Sequence, residues 1–127
     1  KGMSTDVCVP ISRLAECIGE TEDDIARSGL VAPIVGHVGD GNFHVLVLMD
    51  PGDAREIEAT EAFVARLNMR AIAMDGTCTG EHGVGQGKIA FLPHELGSGV
   101  DVMRAIKQAL DPHDIMNPGK VLPPAGN

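Results

Sequence analysis

Gly36-His37-Val38-Gly39-Asp40-Gly41-Asn42-Phe43-His44 is the stretch on which the fold turns. Asp40-Gly41 reads as a two-residue type I′ hairpin turn, because Asp-Gly supplies the positive φ angles that turn demands. In that register Gly39 pairs with Asn42, Val38 with Phe43 and His37 with His44. Directly opposed residues of an antiparallel pair set their Cβ atoms about 4.5–5.5 Å apart on one face. Two imidazoles so placed can hold one metal ion. A second polar pair downstream, Glu81-His82, is available to complete such a site.

Working outward, residues 31–38 and 42–49 form the two strands of the hairpin, and both of its faces are apolar. Ile34, Val38, Phe43, Val45 and Val47 share one face; Val35, His37, His44, Leu46 and Leu48 share the other. An antiparallel sheet with one wet face should alternate polar with apolar, so both faces are expected to be covered. Helices of this chain account for one cover, and a segment or domain outside it for the other. The bare face would suit a second copy of the chain in a homodimer equally well.

Upstream, residues 6–10 form a short strand ended by Pro10, and Ser12 is placed to cap the helix that follows. Leu14, Ile18 and Ile25 recur near the helical period, Gly19 is a point of interruption and Gly29 a stop. Downstream, Pro51-Gly52-Asp53 turns the chain into a helix over 54–74, with Ile57, Phe63 or Val64, Leu67, Ala71 and Met74 inward. Shorter helices are expected over 88–94 and 100–110. Pro118, Pro123 and Pro124 make residues 116–127 an extended arm. The order strand, helix, strand, strand, helix suits an α+β layer: an antiparallel, ferredoxin-like sheet with helices on one face, here as a partial unit.

The chain has 127 residues and a net charge of -8, enough for one modest domain. No Lys/Arg cluster is present, which excludes a nucleic-acid surface. No apolar run approaches the roughly 20 residues that span a bilayer. The start, Lys1-Gly2-Met3-Ser4-Thr5, resembles no signal peptide and is expected to be a cut into a longer chain. Three widely spaced cysteines make no disulfide framework and suit a reducing compartment; Cys8 and Cys17 read as small core residues.

Residues 75–87 form a 13-residue loop with five glycines, carrying Glu81 and His82. Loops of that length inside a compact domain are usually functional or disordered. It is not a phosphate loop: His82 stands where a glycine is required, and Ile89 follows Lys88 in place of Ser or Thr. Nor is it a dinucleotide fingerprint, since a helix precedes it. Two histidines with one carboxylate make a half-open site for Zn²⁺, Mn²⁺ or Fe²⁺, with room for a bidentate ligand such as a 2-hydroxy acid. His82, next to Glu81, is better placed as a general base than as a further ligand. His94 and His113 have no partner motif and read as surface residues.

Three runs carry a family resemblance: residues 36–44, residues 76–88, and Leu110-Asp111-Pro112 with Met116-Asn117-Pro118-Gly119-Lys120. Together they resemble the C-terminal domain of FAD-linked 2-hydroxy-acid dehydrogenases of the vanillyl-alcohol-oxidase type. Thr77-Cys78-Thr79-Gly80-Glu81-His82-Gly83 is most similar in wording to D-lactate dehydrogenases, with D-2-hydroxyglutarate and glycolate enzymes close by. The resemblance implies that His37, His44 and Glu81 are metal ligands, His82 the catalytic base, and Asn117 a neighbour of the flavin ring. It implies FAD and a divalent metal as cofactors, and a D-2-hydroxy acid, D-lactate first, as substrate. A cytochrome, quinone or flavoprotein would accept the electrons. The implied place is the cytoplasm or inner-membrane surface in a bacterium, or the mitochondrion in a eukaryote. The flavin-binding domain and an upstream substrate-carboxylate arginine have no counterpart here, so the chain by itself is expected to turn nothing over. The rival reading is a non-enzymatic ferredoxin-like module that binds a small acid or metal; a structural metal domain would need a closed, four-ligand site.

Overall fold

A computed structural model describes residues 1–124. It divides into two compact units, Lys1–His82 and Gly83–Asn127; residues 125–127, the end of the expected extended arm, lie outside the described part. The first unit runs β1 (Gly2–Ser4), β2 (Val7–Cys8), α1 (Ile11–Ser28), β3 (Ile34–His37), β4 (Asn42–Leu48) and α2 (Ala54–Ala73). This is the expected α+β arrangement, an open antiparallel sheet with β4 at its centre. β3 lies along one edge of β4, and β1 and β2 follow one another along the opposite edge. A helix between two strands that flank a third is the split β-α-β arrangement of a ferredoxin-like unit.

β1 and β2 are in effect one interrupted strand. Met3 pairs with Val47 and Val7 with Phe43, and the same register carried through the gap sets Thr5 against Val45 and Asp6 against His44. The interruption has a local cause: the Thr5 Oγ1 hydroxyl, not its carbonyl, accepts the Val45 N–H at 2.8 Å.

The hairpin register differs from the expected one by two residues. Val35 pairs with His44, Gly36 with Phe43 and His37 with Asn42. A type I′ turn needs positive φ at both central positions, but of Asp40 and Gly41 only Gly41 adopts it, at +75°. The connection is instead a turn of 3-10 helix, Val38–Asp40, closed by left-handed Gly41. Gly41 is locked there because a Cβ would stand 2.1 Å from the Val9 carbonyl oxygen. A one-residue slip would reverse the faces; a two-residue shift preserves them. His37 and His44 therefore still share a face, as diagonal neighbours.

Phe43, Val45 and Val47 point to the other face and are fully buried with Val7, Cys17, Phe63, Leu67 and Ala71, with Leu14 nearly so. Helices α1 and α2 thus cover that face. On the histidine face Val35, Leu46 and Leu48 stay exposed, so among the described residues the second expected cover is partial. Pro10, not Ser12, precedes the first residue of α1, and no side chain caps it. Gly19 does not interrupt the helix, and left-handed Gly29 ends it as expected. Asp53 caps α2, accepting the Arg55 N–H at 2.9 Å.

The two helices are tied by one buried carboxylate. Asp24 accepts from Arg66 at 2.8 Å and from Arg70 at 2.8 Å. Burial opposes its charge, but the two guanidinium hydrogen bonds prevail and hold its pKa at about 2.

The second unit contains a 3-10 turn (Ile89–Phe91), α3 (Leu92–Leu96) and α4 (Gly99–Leu110). Asp111 closes α4: its carboxylate accepts the N–H groups of Ile115 and Met116 and pairs with Lys107. Val102, Ile106 and Leu110 form an exposed stripe on α4. His94 and His113 are exposed, as expected.

Candidate metal centre

The histidine face of the sheet reads as rows across its strands. Cys8, Asn42 and His37 make one row, and Asp6, His44 and Val35 the next. Thr77 extends the first row by bridging to Cys8, with N–H···O bonds of 2.8 and 3.2 Å. That bridge brings the glycine-rich segment beside the sheet, and residues 78–82 then fold over the histidines.

The three residues expected to share an ion come together. One ligand atom from each of His37, His44 and Glu81 lies within 4.8 Å of the others. Glu81 Oε1 is 3.3 Å from His44 Nε2 and 3.8 Å from His37 Nε2. The imidazole centroids stand 6.2 Å apart with their planes nearly perpendicular, which lets both nitrogens aim at one point from diagonal positions. His44 is largely buried, whereas His37 and Glu81 are half-exposed or more.

The tautomer of His44 follows from its partner. Its Nδ1 lies 3.0 Å from the Thr5 carbonyl oxygen, which can only accept, so Nδ1 donates there. That leaves Nε2, 3.3 Å from Glu81 Oε1, as the nitrogen that would face a cation held between the two. This is how metal-binding histidines are oriented in general. Two imidazole nitrogens and a carboxylate oxygen at these separations fit a divalent cation of the Zn²⁺, Mn²⁺ or Fe²⁺ type with open positions remaining.

His82 stands beside the group, with its Nε2 3.5 Å from the same Glu81 oxygen and its ring centroid 5.3 Å from that of His44. More than half of its side chain is exposed. A cleft of about 350 Å³ opens next to it, lined by Cys8, His37, Asp40, Asn42, Gly80 and Glu81. Burial, then Asp6 and Asp40, push the Cys8 thiol pKa up, so Cys8 is a poor nucleophile on that wall. Asn42 Oδ1, on the same wall, is buried without a hydrogen-bond partner among the described residues. Asn117 belongs to the second unit, at φ +49°, with its carbonyl accepting the Lys120 N–H at 3.3 Å.

Asp6 escapes a reading of the sequence alone. It presents itself there only as the first residue of a short strand. In the structure its carboxylate is buried and accepts the N–H groups of Glu81 and His82 and the Thr79 hydroxyl. The signal is its place opposite His44, which a pairing across more than 30 residues of chain hides from any local pattern.

Residues 1–121 match the family model for FAD linked oxidases, C-terminal domain. A probable mitochondrial D-lactate dehydrogenase of Danio rerio is 55% identical over 123 residues, 96% of this chain and 25% of the relative. A mitochondrial D-lactate dehydrogenase (cytochrome) of Arabidopsis thaliana is 46% identical over 125 residues, 98% of this chain and 22% of that one. A glycolate oxidase subunit of Bacillus subtilis is 39% identical over 117 residues, 91% of the chain and 25% of the subunit. The chain thus spans about a quarter of the length of these relatives. With two histidines, a glutamate and a further histidine converging on the open face of its sheet, the chain belongs to the C-terminal domain family of the FAD-linked oxidases.

Proposed function

We propose that this chain is the substrate-side domain of a flavin- and metal-dependent dehydrogenase that oxidises a D-2-hydroxy acid, D-lactate first, to the 2-oxo acid. The observation that carries the reading is the convergence of His37, His44 and Glu81, ligand atoms within 4.8 Å, from two places in the chain. The flavin-binding part of such an enzyme would lie in sequence outside residues 1–127. The mitochondrial names of the animal and plant relatives favour a mitochondrial setting, with a cytochrome as the electron acceptor.

His37, His44 and Glu81 would hold the divalent cation, and Asn117 would lie near the flavin. When bound, the cation would supply Lewis acidity at the substrate hydroxyl, and FAD a two-electron acceptor for the hydride leaving the α-carbon. Further roles fall to residues of this chain. The cleft beside Glu81 admits a small acid. His82, exposed and adjacent to Glu81, takes the hydroxyl proton at Nε2 as general base. Thr5 fixes the His44 ring through its carbonyl, so the Nε2 lone pair keeps its direction as the substrate changes charge.

The direct test is titration of the chain with Co²⁺ or Zn²⁺. One equivalent should bind, and E81Q should bind far more weakly. A binding module without redox chemistry would also take up the ion. The two readings separate when the domain is placed in a polypeptide of the relatives' full length: the enzyme reading requires a yellow protein that reduces its flavin with D-lactate.

A further inference from the structure

Asp6 is not among the three groups assigned to the cation, yet it reaches both His44 and the segment that carries Glu81. Its Oδ2 accepts from His82 N–H at 2.9 Å, from Glu81 N–H at 3.1 Å and from Thr79 Oγ1 at 3.2 Å. Its Oδ1 lies 3.7 Å from His44 Nδ1. A single buried carboxylate thus contacts the histidine on β4 and the segment that delivers Glu81 and His82, 75 and 76 positions away. Burying a carboxylate is costly unless several donors reach it; here two backbone N–H groups and a hydroxyl converge from one short stretch of chain, a strong arrangement for an anion. Gly80 makes the approach feasible, since a Cβ there would stand 2.6 Å from Asp6 Oδ1.

We propose that Asp6 is the positioning residue of this site: it fixes the Glu81-His82 backbone over His44, and so sets the separation of the metal-binding atoms. The inference rests on the metal reading given above. Asparagine in its place keeps the shape but not the charge: its carbonyl oxygen can stand where Oδ2 does, while its NH₂ replaces Oδ1, which also accepts the Glu81 N–H at 3.2 Å, so that contact is lost and the charge-assisted bonds become weaker neutral ones. Outer partners of metal sites typically govern affinity by 10–100-fold.

The test uses the whole chain with Co²⁺ as the probe, reading the dissociation constant and the visible absorption bands, which report ligand geometry. The expected result is that D6N, folded by circular dichroism, binds Co²⁺ about 10–100-fold more weakly with displaced bands, and that its Glu81 and His82 amides exchange faster with solvent. Wild-type affinity and an unchanged spectrum in folded D6N would overturn the role of Asp6 while leaving the metal reading intact. Absence of Co²⁺ binding by the wild-type chain would overturn both. Should D6N not fold, T79V decides the matter. It removes one donor and is expected to weaken binding several-fold; unaltered binding in T79V would overturn the proposal.

Discussion

His44 Nε2 stands 3.3 Å from Glu81 Oε1, although 37 positions separate the two residues in the chain. His44 is fixed by the sheet and Glu81 by a loop that crosses back over it, so the contact exists only if both the strand pairing and the loop closure are right. H82A should leave this couple in place. In a full-length protein carrying the domain, that variant is expected to lower turnover by about 10²–10⁴-fold, the usual share of a general base. Flavin content and Co²⁺ affinity should stay near wild type. Stopped-flow flavin reduction with D-lactate measures the first and spectral titration the second; full activity in H82A removes it as the base.

The Asp24 cluster makes stability depend on acid. The unfolded carboxyl titrates at its ordinary 3.8 and the folded one at about 2, so between those values the unfolded chain binds more protons. The contribution is complete above pH 4 and is lost as pH falls towards 2. With Arg66 half-exposed, it amounts to about 1–2 kcal/mol. D24N should lose about 2 kcal/mol at pH 7 and show a flatter decline in acid. Urea denaturation at pH 7, 4 and 3 would reveal both.

Phe63 is fully buried beneath the sheet. F63A should cost about 3–5 kcal/mol, a large share of the stability of a domain this size. A midpoint of chemical denaturation close to wild type would contradict the assignment of the core.

Gly80 tests the site without touching the core. A Cβ there would meet Asn42 Oδ1 at 2.4 Å and Asp6 Oδ1 at 2.6 Å. G80A must therefore displace the segment that carries Glu81. The expected outcome is a Co²⁺ affinity lowered at least tenfold, with a melting temperature only a few degrees below wild type. Retained affinity would mean that Glu81 does not depend on this close approach.

The sequence made the elements and faces legible because they rest on local periodicity. Of the expected inner stripe, Phe63, Leu67 and Ala71 on α2 and Met74 at its end are buried while Ile57 is only partly so, and the alternation along β4 separates Phe43, Val45 and Val47 from His44, Leu46 and Leu48. The hairpin register was not legible, because Asp40-Gly41 suits two connections and only the packing of Gly41 against Val9 selects one. Residues 2–4 carry no strand pattern of their own and are ordered by pairing with 46–48. Asp6 was invisible for the same reason: its role arises from an edge supplied by β4 and a loop supplied more than 70 residues later. His37, His44 and Glu81 still come together in the observed register, because a shift of two keeps both imidazoles on one face.

The most direct test of the central claim is metal titration of the chain and of H37A, H44A and E81Q, each first shown to be folded. One equivalent of Co²⁺ or Zn²⁺ should bind to the wild type, and each substitution should weaken binding by two orders of magnitude or more. If E81Q takes up the ion with wild-type affinity, Glu81 is no ligand and the site described here does not exist.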